Sequence, residues 1–174
     1  DNLAYVYKPV CSWDTIFHRE LNKLLKFFAF ACTNYVFVKK LIIDVRDNSG
    51  GDQRFSEQLL GFLIPSNKRL RVAKYLYRTD ESNPRRLGNE SDKYLKGHSE
   101  ISFKGAVAVL IGGECMSSNE FFCMGLEALR NKTKTALYKK IHLIGSNTFG
   151  SSGRPQTFEH PCGIKYLIPS WVCY

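Results

Sequence analysis

The sequence predicts an α/β fold with a mainly parallel central sheet. Two short apolar runs, over residues 41–46 and 106–111, are each followed by glycines and then by a segment in which apolar residues recur three or four positions apart. This is the pattern of a buried strand, a tight turn and a helix. Because strands and helices of this kind alternate along the chain, the strands are expected to run mainly parallel.

The individual strands and helices are predicted from the same kinds of pattern, short apolar runs for strands and the three-to-four-residue recurrence of apolar residues for helices. Strands are short runs of β-branched and aromatic residues bounded by turn residues, and helices are longer runs of helical period that begin at a capping residue. In chain order we predict a strand from Ala4 that stops at Pro9, a helix from Trp13 to Phe28, a strand at 41–46, a helix at 55–63, strands at 70–78 and 106–111, a helix at 117–130, a strand at 142–145, and a hairpin of 156–158 with 163–168.

We predict one domain over residues 1–174. The chain has 174 residues, of which 44% are hydrophobic, and this supports one sizeable core. The polar segment 79–99 is expected to be a surface excursion, because neither side of it is long enough to form a separate core. Since the chain opens on Asp1 inside a strand approach, we expect it to be a fragment of a longer protein.

Composition and charge argue against several classes of function. No apolar run reaches the roughly 18 residues that a membrane-spanning helix needs. The net charge is +9, but the basic residues are dispersed in short groups without the interleaved aromatic residues of a nucleic-acid binder. We therefore predict no membrane span and no nucleic-acid partner.

The six cysteines do not predict a metal site. They form no CxxC pair and have no metal-ligand spacing with the four histidines. Their even number and the sequons that begin at Asn89 and Asn131 fit a secreted protein. Cys115 and Cys123 fit buried thiols equally well.

The turn at residues 117–120, Ser-Ser-Asn-Glu, is the strongest candidate for chemistry. A serine there has its hydroxyl at the sheet edge and its neighbouring N–H groups at a helix start, where the helix dipole favours negative charge. This geometry suits a nucleophile. The alternative is that Ser117 or Ser118 is an N-cap and Glu120 closes a capping box, and the stretch taken alone favours that alternative.

A second glycine-bearing turn is expected to meet this one. Gly50 and Gly51 follow the strand at 41–46, and the carboxyl ends of parallel strands lie at the same edge of a sheet. Acyl transfer needs a nucleophile and two N–H donors about 3 Å from the developing oxyanion. The two turns together could supply these groups, and neither matches a phosphate or dinucleotide fingerprint.

Other polar residues near these turns have structural interpretations. Asp44 and Arg46 predict an ion pair, and Asn48 predicts a cap on its turn. His142, beside the later glycine-rich loop, is a candidate base, but a lone histidine at a strand start is more often simply exposed. His160 is expected at a hairpin tip.

Three ordered motifs resemble those of one enzyme family. Residues 44–51 have the form D-x-R-x-N-x-G-G, residues 117–120 the form S-x-x-E, and residues 145–150 the form G-x-x-T-x-G. In this order they resemble the C-terminal processing, or tail-specific, serine proteases and their tricorn-core relatives. The motifs extend over nearly the whole chain, so the combination is more specific than any one of them.

The resemblance implies a fold of the crotonase or Clp-protease type, a spiral of strands and helices. It also implies cleavage of a polypeptide substrate through an acyl-enzyme. Ser117 would be the nucleophile, and Gly50 or Gly51 together with the N–H of Ser118 would form the oxyanion hole.

The same resemblance bears on the later loop and on partners. Thr148, Gly150 and Ser151 would belong to a loop that contacts the substrate. No cofactor and no metal are implied. Assembly into a homo-oligomer stays open, and the family favours a location outside the cytosol.

The departures from the family concern the general base. The tail-specific branch activates its serine with a lysine at the position that is Ser151 here. The loop at 150–155 instead resembles the branch that uses histidine, from the opening strand or before it, with an acidic partner late in the domain. The opening strand offers Tyr7 and Lys8, and the acidic partner would fall near or past Tyr174.

We therefore predict a serine endopeptidase core whose general base is supplied from outside this segment. The alternative is an inactive pseudo-protease that binds peptides or acts as a scaffold. A weaker third hypothesis is an acyl-thioester enzyme of the crotonase type, which would share the fold and its paired N–H groups. If the segment alone proves active, His142 or His160 becomes the candidate base.

Overall fold

The computed structural model describes residues 2–7, 15–34, 37–66, 68–78, 83, 86–98, 101–132 and 140–173. Pro9 and Trp13, at which two predicted elements end and begin, lie outside these ranges. The elements are β1 (Leu3–Tyr7), α1 (Thr15–Thr33), β2 (Lys40–Asp44), α2 (Gln53–Leu63), β3 (Arg69–Arg78), β4 (Leu87–Lys96), β5 (Ala106–Ile111), α3 (Ser118–Lys132), β6 (Ile141–Gly145), β7 (Pro155–Glu159), β8 (Lys165–Pro169) and β9 (Trp171–Cys173).

The central sheet has four strands in the order β1-β2-β5-β6, and each neighbouring pair is parallel. The register aligns Ile43 of β2 with Val109 of β5. Both side chains are fully buried, in one hydrophobic cluster with Leu59 of α2 and Phe121 of α3. Apolar runs buried in this way are typical of parallel strands covered by helices. The predicted α/β fold with a parallel central sheet is confirmed.

A second sheet is antiparallel and has the order β4-β3-β9. Strand β4 is not predicted from the sequence, because Asn89, Ser91 and Asp92 have low strand propensity. β4 forms because it pairs with β3 along nearly its whole length, and the hydrogen bonds of this pairing compensate for its low strand propensity. Much of the segment 79–99 is therefore a regular strand, and its side chains are mostly exposed. The predicted hairpin is present as β7 and β8.

None of the five described cysteines is in a disulfide bond. Cys115 and Cys123 are buried, and their sulfur atoms lie 3.8 Å apart, within reach of an S–H hydrogen bond but too far for a disulfide. The structure therefore agrees with the buried-thiol interpretation of these two residues. Within the described ranges, no helix combines the length and the apolar character needed to cross a membrane.

The thiols should differ in reactivity. Cys162 is exposed, whereas burial raises the pKa of Cys32 to about 12 and that of Cys173 to about 11. Because the thiolate is the reactive form, we expect iodoacetamide at pH 8 to modify Cys162 before the other described cysteines. Peptide mass mapping over time measures this order. Urea-unfolded protein is the control, and equal rates for Cys32 and Cys162 in the folded protein would contradict the prediction.

Candidate active site

Three loops meet at one edge of the central sheet, where β2, β5 and β6 end. The N–H of Met116 donates to the carbonyl oxygen of Asn48 at 3.2 Å, which joins the first two loops. The N–H of Phe149 donates to the carbonyl oxygen of Cys115 at 2.9 Å, which joins the third. The predicted convergence of the two glycine-bearing turns is confirmed.

Ser117 lies at the centre of this edge and has an unusual backbone conformation. Its φ is +56°, in the left-handed region that non-glycine residues rarely adopt. Such conformations cost about 1 to 3 kcal/mol and cluster at functional sites. Helix α3 begins at the next residue, Ser118, so Ser117 is at the positive end of the helix dipole.

Gly50 makes the closest approach to Ser117. A Cβ atom on Gly50 would lie 2.7 Å from Ser117 Cβ and 2.8 Å from the carbonyl oxygen of Met116. The φ of Gly50 is +102° and that of Gly51 is +117°. Glycine is therefore required at residue 50 both by its conformation and by the space that Ser117 leaves.

The two glycines differ in the hydrogen bonding of their N–H groups. The N–H of Gly50 donates to Asn48 Oδ1 at 2.9 Å, as the predicted cap. Asn48 is fully buried. This bond engages the Gly50 N–H within the turn, so Gly51 is the better candidate of the two to donate to a ligand.

Glu120 binds the third loop to the Ser117 turn. Its Oε1 accepts from the N–H of Gly150 at 2.6 Å, and its Oε2 accepts from the N–H of Ser151 at 2.8 Å and of Ser117 at 3.2 Å. The residue is 6% exposed. A carboxylate held by three backbone donors positions the loops around Ser117.

The predicted capping box is half formed. Glu120 accepts from the N–H of Ser117, as the N3 residue of such a box does. The N–H of Glu120, however, donates to the carbonyl oxygen of Ser117 at 2.9 Å. Among the residues that the structure describes, none forms a hydrogen bond with the Ser117 hydroxyl. The hydroxyl is therefore available for chemistry, although its residue also begins the helix.

The Asp44–Arg46 ion pair is present as predicted. Arg46 Nε lies 3.0 Å from Asp44 Oδ1, and Nη2 lies 2.7 Å from Oδ2. The Tyr5 hydroxyl donates to Asp44 Oδ2 at 2.6 Å. The hydrogen bonds from Arg46, helped by Tyr5, hold the pKa of Asp44 well below its usual range despite burial. Asp44 therefore stays ionised and anchors the end of β2.

The candidate histidine bases lie away from Ser117. His142 is an exposed residue of β6. His160 lies beside the β7–β8 turn, with Nδ1 2.9 Å from Cys162 Sγ. Neither lines the cavity in front of Ser117. The described residues that line this cavity include the serine and the candidate oxyanion donors Gly51 and Ser118, but no histidine or lysine.

Two cavities flank the loop that follows β6. One, of about 610 Å³, lies in front of Ser117 and is lined by Gly51, Asp52, Gln53, Arg54, Ser117, Ser118, Ser152, Gly153, Arg154, Pro155 and Trp171. The other, of about 660 Å³, includes Thr148, Gly150 and Ser151 in its lining. The three residues expected in a substrate loop therefore line the second cavity. Ser151 is joined to Ser117 through its carbonyl oxygen, which accepts from the Ser117 N–H at 2.7 Å.

Sequence reasoning missed Arg54, Arg154 and Trp171 as residues of the first cavity. Arg54 and Arg154 are 100 positions apart in the chain, and only the folded arrangement brings them to one space. The positive φ of Arg154 is a signal that the sequence does not carry.

The sequence pattern of peptidase family S41 matches residues 17–171. The chain belongs to peptidase family S41. This family assignment agrees with the resemblance to tail-specific and tricorn-type proteases, and it makes the chain part of a family of hydrolases. No curated protein matches the chain.

Solved structures show the same fold at low sequence identity. A structure described as a peptidase of Parabacteroides merdae has a TM-score of 0.74 and 22% identity, and covers 98% of this chain and 48% of its own. Mature CPAF in complex with lactacystin has a TM-score of 0.73 and 15% identity, with 98% and 43% covered. The photosystem II D1 C-terminal processing protease has a TM-score of 0.60 and 15% identity, with 97% and 37% covered. This S41 chain thus spans less than half the length of these structures.

Proposed function

We propose that this chain is the nucleophile-bearing core of a serine endopeptidase that cleaves polypeptides through an acyl-enzyme on Ser117. The observation that carries the proposal is the strained turn at Ser117. A serine with φ +56° stands at the start of α3, against Gly50, at a cavity of about 610 Å³. A binding module would have little need of a strained serine with a hydroxyl that no described residue holds.

The chemistry follows from the groups around that serine. As the base takes the hydroxyl proton, Ser117 Oγ attacks the peptide carbonyl carbon, a C–O bond forms, and the carbonyl π electrons move to the oxygen. The N–H groups of Gly51 and Ser118 stabilise this oxyanion, because an N–H in the first turn of a helix has no acceptor within the helix. The tetrahedral intermediate then expels the amine, which takes a proton from the base, and water hydrolyses the acyl-enzyme.

The general base is supplied from outside this segment. A serine without an adjacent base is a weak nucleophile, and none of the described residues hydrogen-bonds with the Ser117 hydroxyl. We infer that residues 1–174 form one core domain of a longer peptidase. Tail-specific cleavage, an extracytoplasmic location and assembly into a homo-oligomer stay predictions of the resemblance.

A pseudo-protease is the second candidate. The observation in its favour is Ser151, which occupies the position of the lysine base in the tail-specific branch and uses both its N–H and its carbonyl oxygen for structure. In that case the cavity would bind peptides without cleaving them.

Covalent labelling distinguishes the two functions. We expect a fluorophosphonate probe to label the protein when its natural flanking residues are included, and to label the 174-residue chain at least 100-fold more slowly, because general-base catalysis contributes about 10²–10⁴-fold. Ser117→Ala should abolish labelling, whereas Ser146→Ala, at an exposed residue that lines neither cavity, should not.

Two results would overturn the proposal. Labelling that persists in Ser117→Ala would remove Ser117 as nucleophile, and no labelling of the extended protein would favour the pseudo-protease. Rapid labelling of the short chain would place the base within these residues and direct attention to His142 and His160.

A further inference from the structure

The described residues that line the cavity in front of Ser117 include two arginines and one aspartate. The carboxylate is Asp52, which is 9% exposed and caps α2 by accepting from the N–H of Arg54 at 3.0 Å. The Arg54 side chain binds the same carboxylate, with Nε and Nη2 at 2.8 and 2.6 Å from Oδ2. Arg54 and Asp52 therefore neutralise one another.

Arg154 is the second cation and is held in place through its backbone. Its carbonyl oxygen accepts from the Ser170 hydroxyl at 2.8 Å. The adjacent carbonyl oxygen of Gly153 accepts from the N–H groups of Ser170 at 2.8 Å and Trp171 at 3.3 Å. These bonds fix the Gly153–Arg154 peptide against the chain just before β9.

The conformation of Arg154 sets it apart from its neighbours. Its φ is +41°, and within the described part of the chain only one other non-glycine residue, Ser117, has a positive φ. Both residues line the same cavity. Because such conformations are unfavourable and persist only where the surroundings impose them, two in one cavity indicate a site that requires both residues in these positions.

The charge of Arg154 has no acidic partner among the described residues. Its guanidinium carbon lies 5.9 Å from the ring centroid of Trp171, a weak cation–π contact that leaves the donors of the guanidinium available. With Asp52 and Arg54 balanced, the described residues that line the cavity carry a net positive charge beside the ring of Trp171. A carboxylate fits this environment, since a guanidinium binds the two carboxylate oxygens together.

We propose that Arg154 is a specificity-determining residue that binds a carboxylate of the peptide substrate close to the bond that Ser117 attacks. The inference rests on the proposed peptidase function only for the position of that bond. The carboxylate belongs either to an acidic side chain or to the carboxyl terminus of the peptide, and the chemistry of recognition is the same for both.

Peptide binding tests this directly and requires no catalysis. The probes are fluorescent hexapeptides, amidated at the carboxyl end, that contain a single Glu, Gln or Lys, together with the Gln peptide carrying a free terminal carboxylate. Fluorescence anisotropy measures their Kd values with the 174-residue chain. We expect the Glu peptide, the free-carboxylate peptide or both to bind at least about tenfold more tightly than the amidated Gln peptide, as one charge-assisted contact predicts.

The variants identify the residue responsible. Arg154→Gln should remove the preference for a carboxylate, and Arg154→Lys should restore part of it, because lysine keeps the charge but not the planar pair of donors. Arg130→Gln, which removes an exposed arginine of α3, is the matched control and should bind like the wild type. Added salt should weaken the preference in the wild type.

The outcomes separate this inference from the proposed function. Equal affinity for all peptides, no measurable binding, or a carboxylate preference that survives in Arg154→Gln would overturn the role of Arg154. A preference that depends on Arg154, in a protein whose Ser117 is never labelled by the fluorophosphonate probe, would support carboxylate recognition while refuting the peptidase function.

Discussion

Glu120→Gln is expected to reduce the fluorophosphonate labelling of Ser117 at least 100-fold and to lower the free energy of unfolding by about 3 kcal/mol. The buried carboxylate accepts hydrogen bonds from the N–H groups of Gly150, Ser151 and Ser117. A glutamine of the same shape has one acceptor oxygen and one NH₂ group. Whichever way the amide turns, the NH₂ faces at least one backbone N–H, and the loops separate.

Two measurements check this prediction. Urea denaturation of the 174-residue chain gives the change in stability, and labelling of the protein with its flanking residues gives the change at Ser117. Glu127→Gln is the matched control, because Glu127 lies on the same helix but in an exposed pair with Arg130 that contributes little. A Glu120→Gln protein of unchanged stability and labelling would show that the carboxylate does not hold the site together.

Gly50→Ala is expected to reduce the fluorophosphonate labelling of Ser117 at least as strongly as Glu120→Gln does. The new methyl group would lie 2.7 Å from Ser117 Cβ and 2.8 Å from the carbonyl oxygen of Met116, so one of the two loops must move. The φ of +102° adds about 1 to 2 kcal/mol of strain for any residue with a Cβ. We expect labelling of Ser117 to fall below detection and the free energy of unfolding to fall by about 3 kcal/mol.

A second glycine variant separates the steric clash from the backbone strain. Gly163 also has a positive φ, +85°, but an added Cβ there would meet no atom within 4 Å. Gly163→Ala should therefore show the conformational cost alone, about 1 to 2 kcal/mol, with normal labelling of Ser117. If both alanine variants label normally, the close approach of Gly50 to Ser117 is not required for the site.

The sequence predicted an element correctly where its local pattern of apolar residues reflects the burial of that element in the fold. The runs at 41–46 and 106–111 are apolar because their strands are covered by helices, and this made the strands and the turns after them recognisable. The spacing of Ser117 and Glu120 predicted either a nucleophile or a capping box, and the structure shows the Ser117 N–H bound to Glu120 and a positive φ at Ser117. Strand β4 was missed because its polar sequence has little strand propensity and owes its form to the partner strand.

The features that the sequence could not show depend on contacts between residues far apart in the chain. By itself the sequence determined the α/β fold class, the Asp44–Arg46 ion pair and the serine turn, because each depends on residues a few positions apart whose spacing matches the geometry of a strand, turn or helix. It also determined the family, because three such motifs follow one another in the family's order along the chain. Only the tertiary structure decided that Glu120 binds the loop after β6, that Gly50 touches Ser117, and that Arg154 lies at the same cavity. These contacts join segments far apart in the chain, and their geometry is set by packing, which no local pattern encodes.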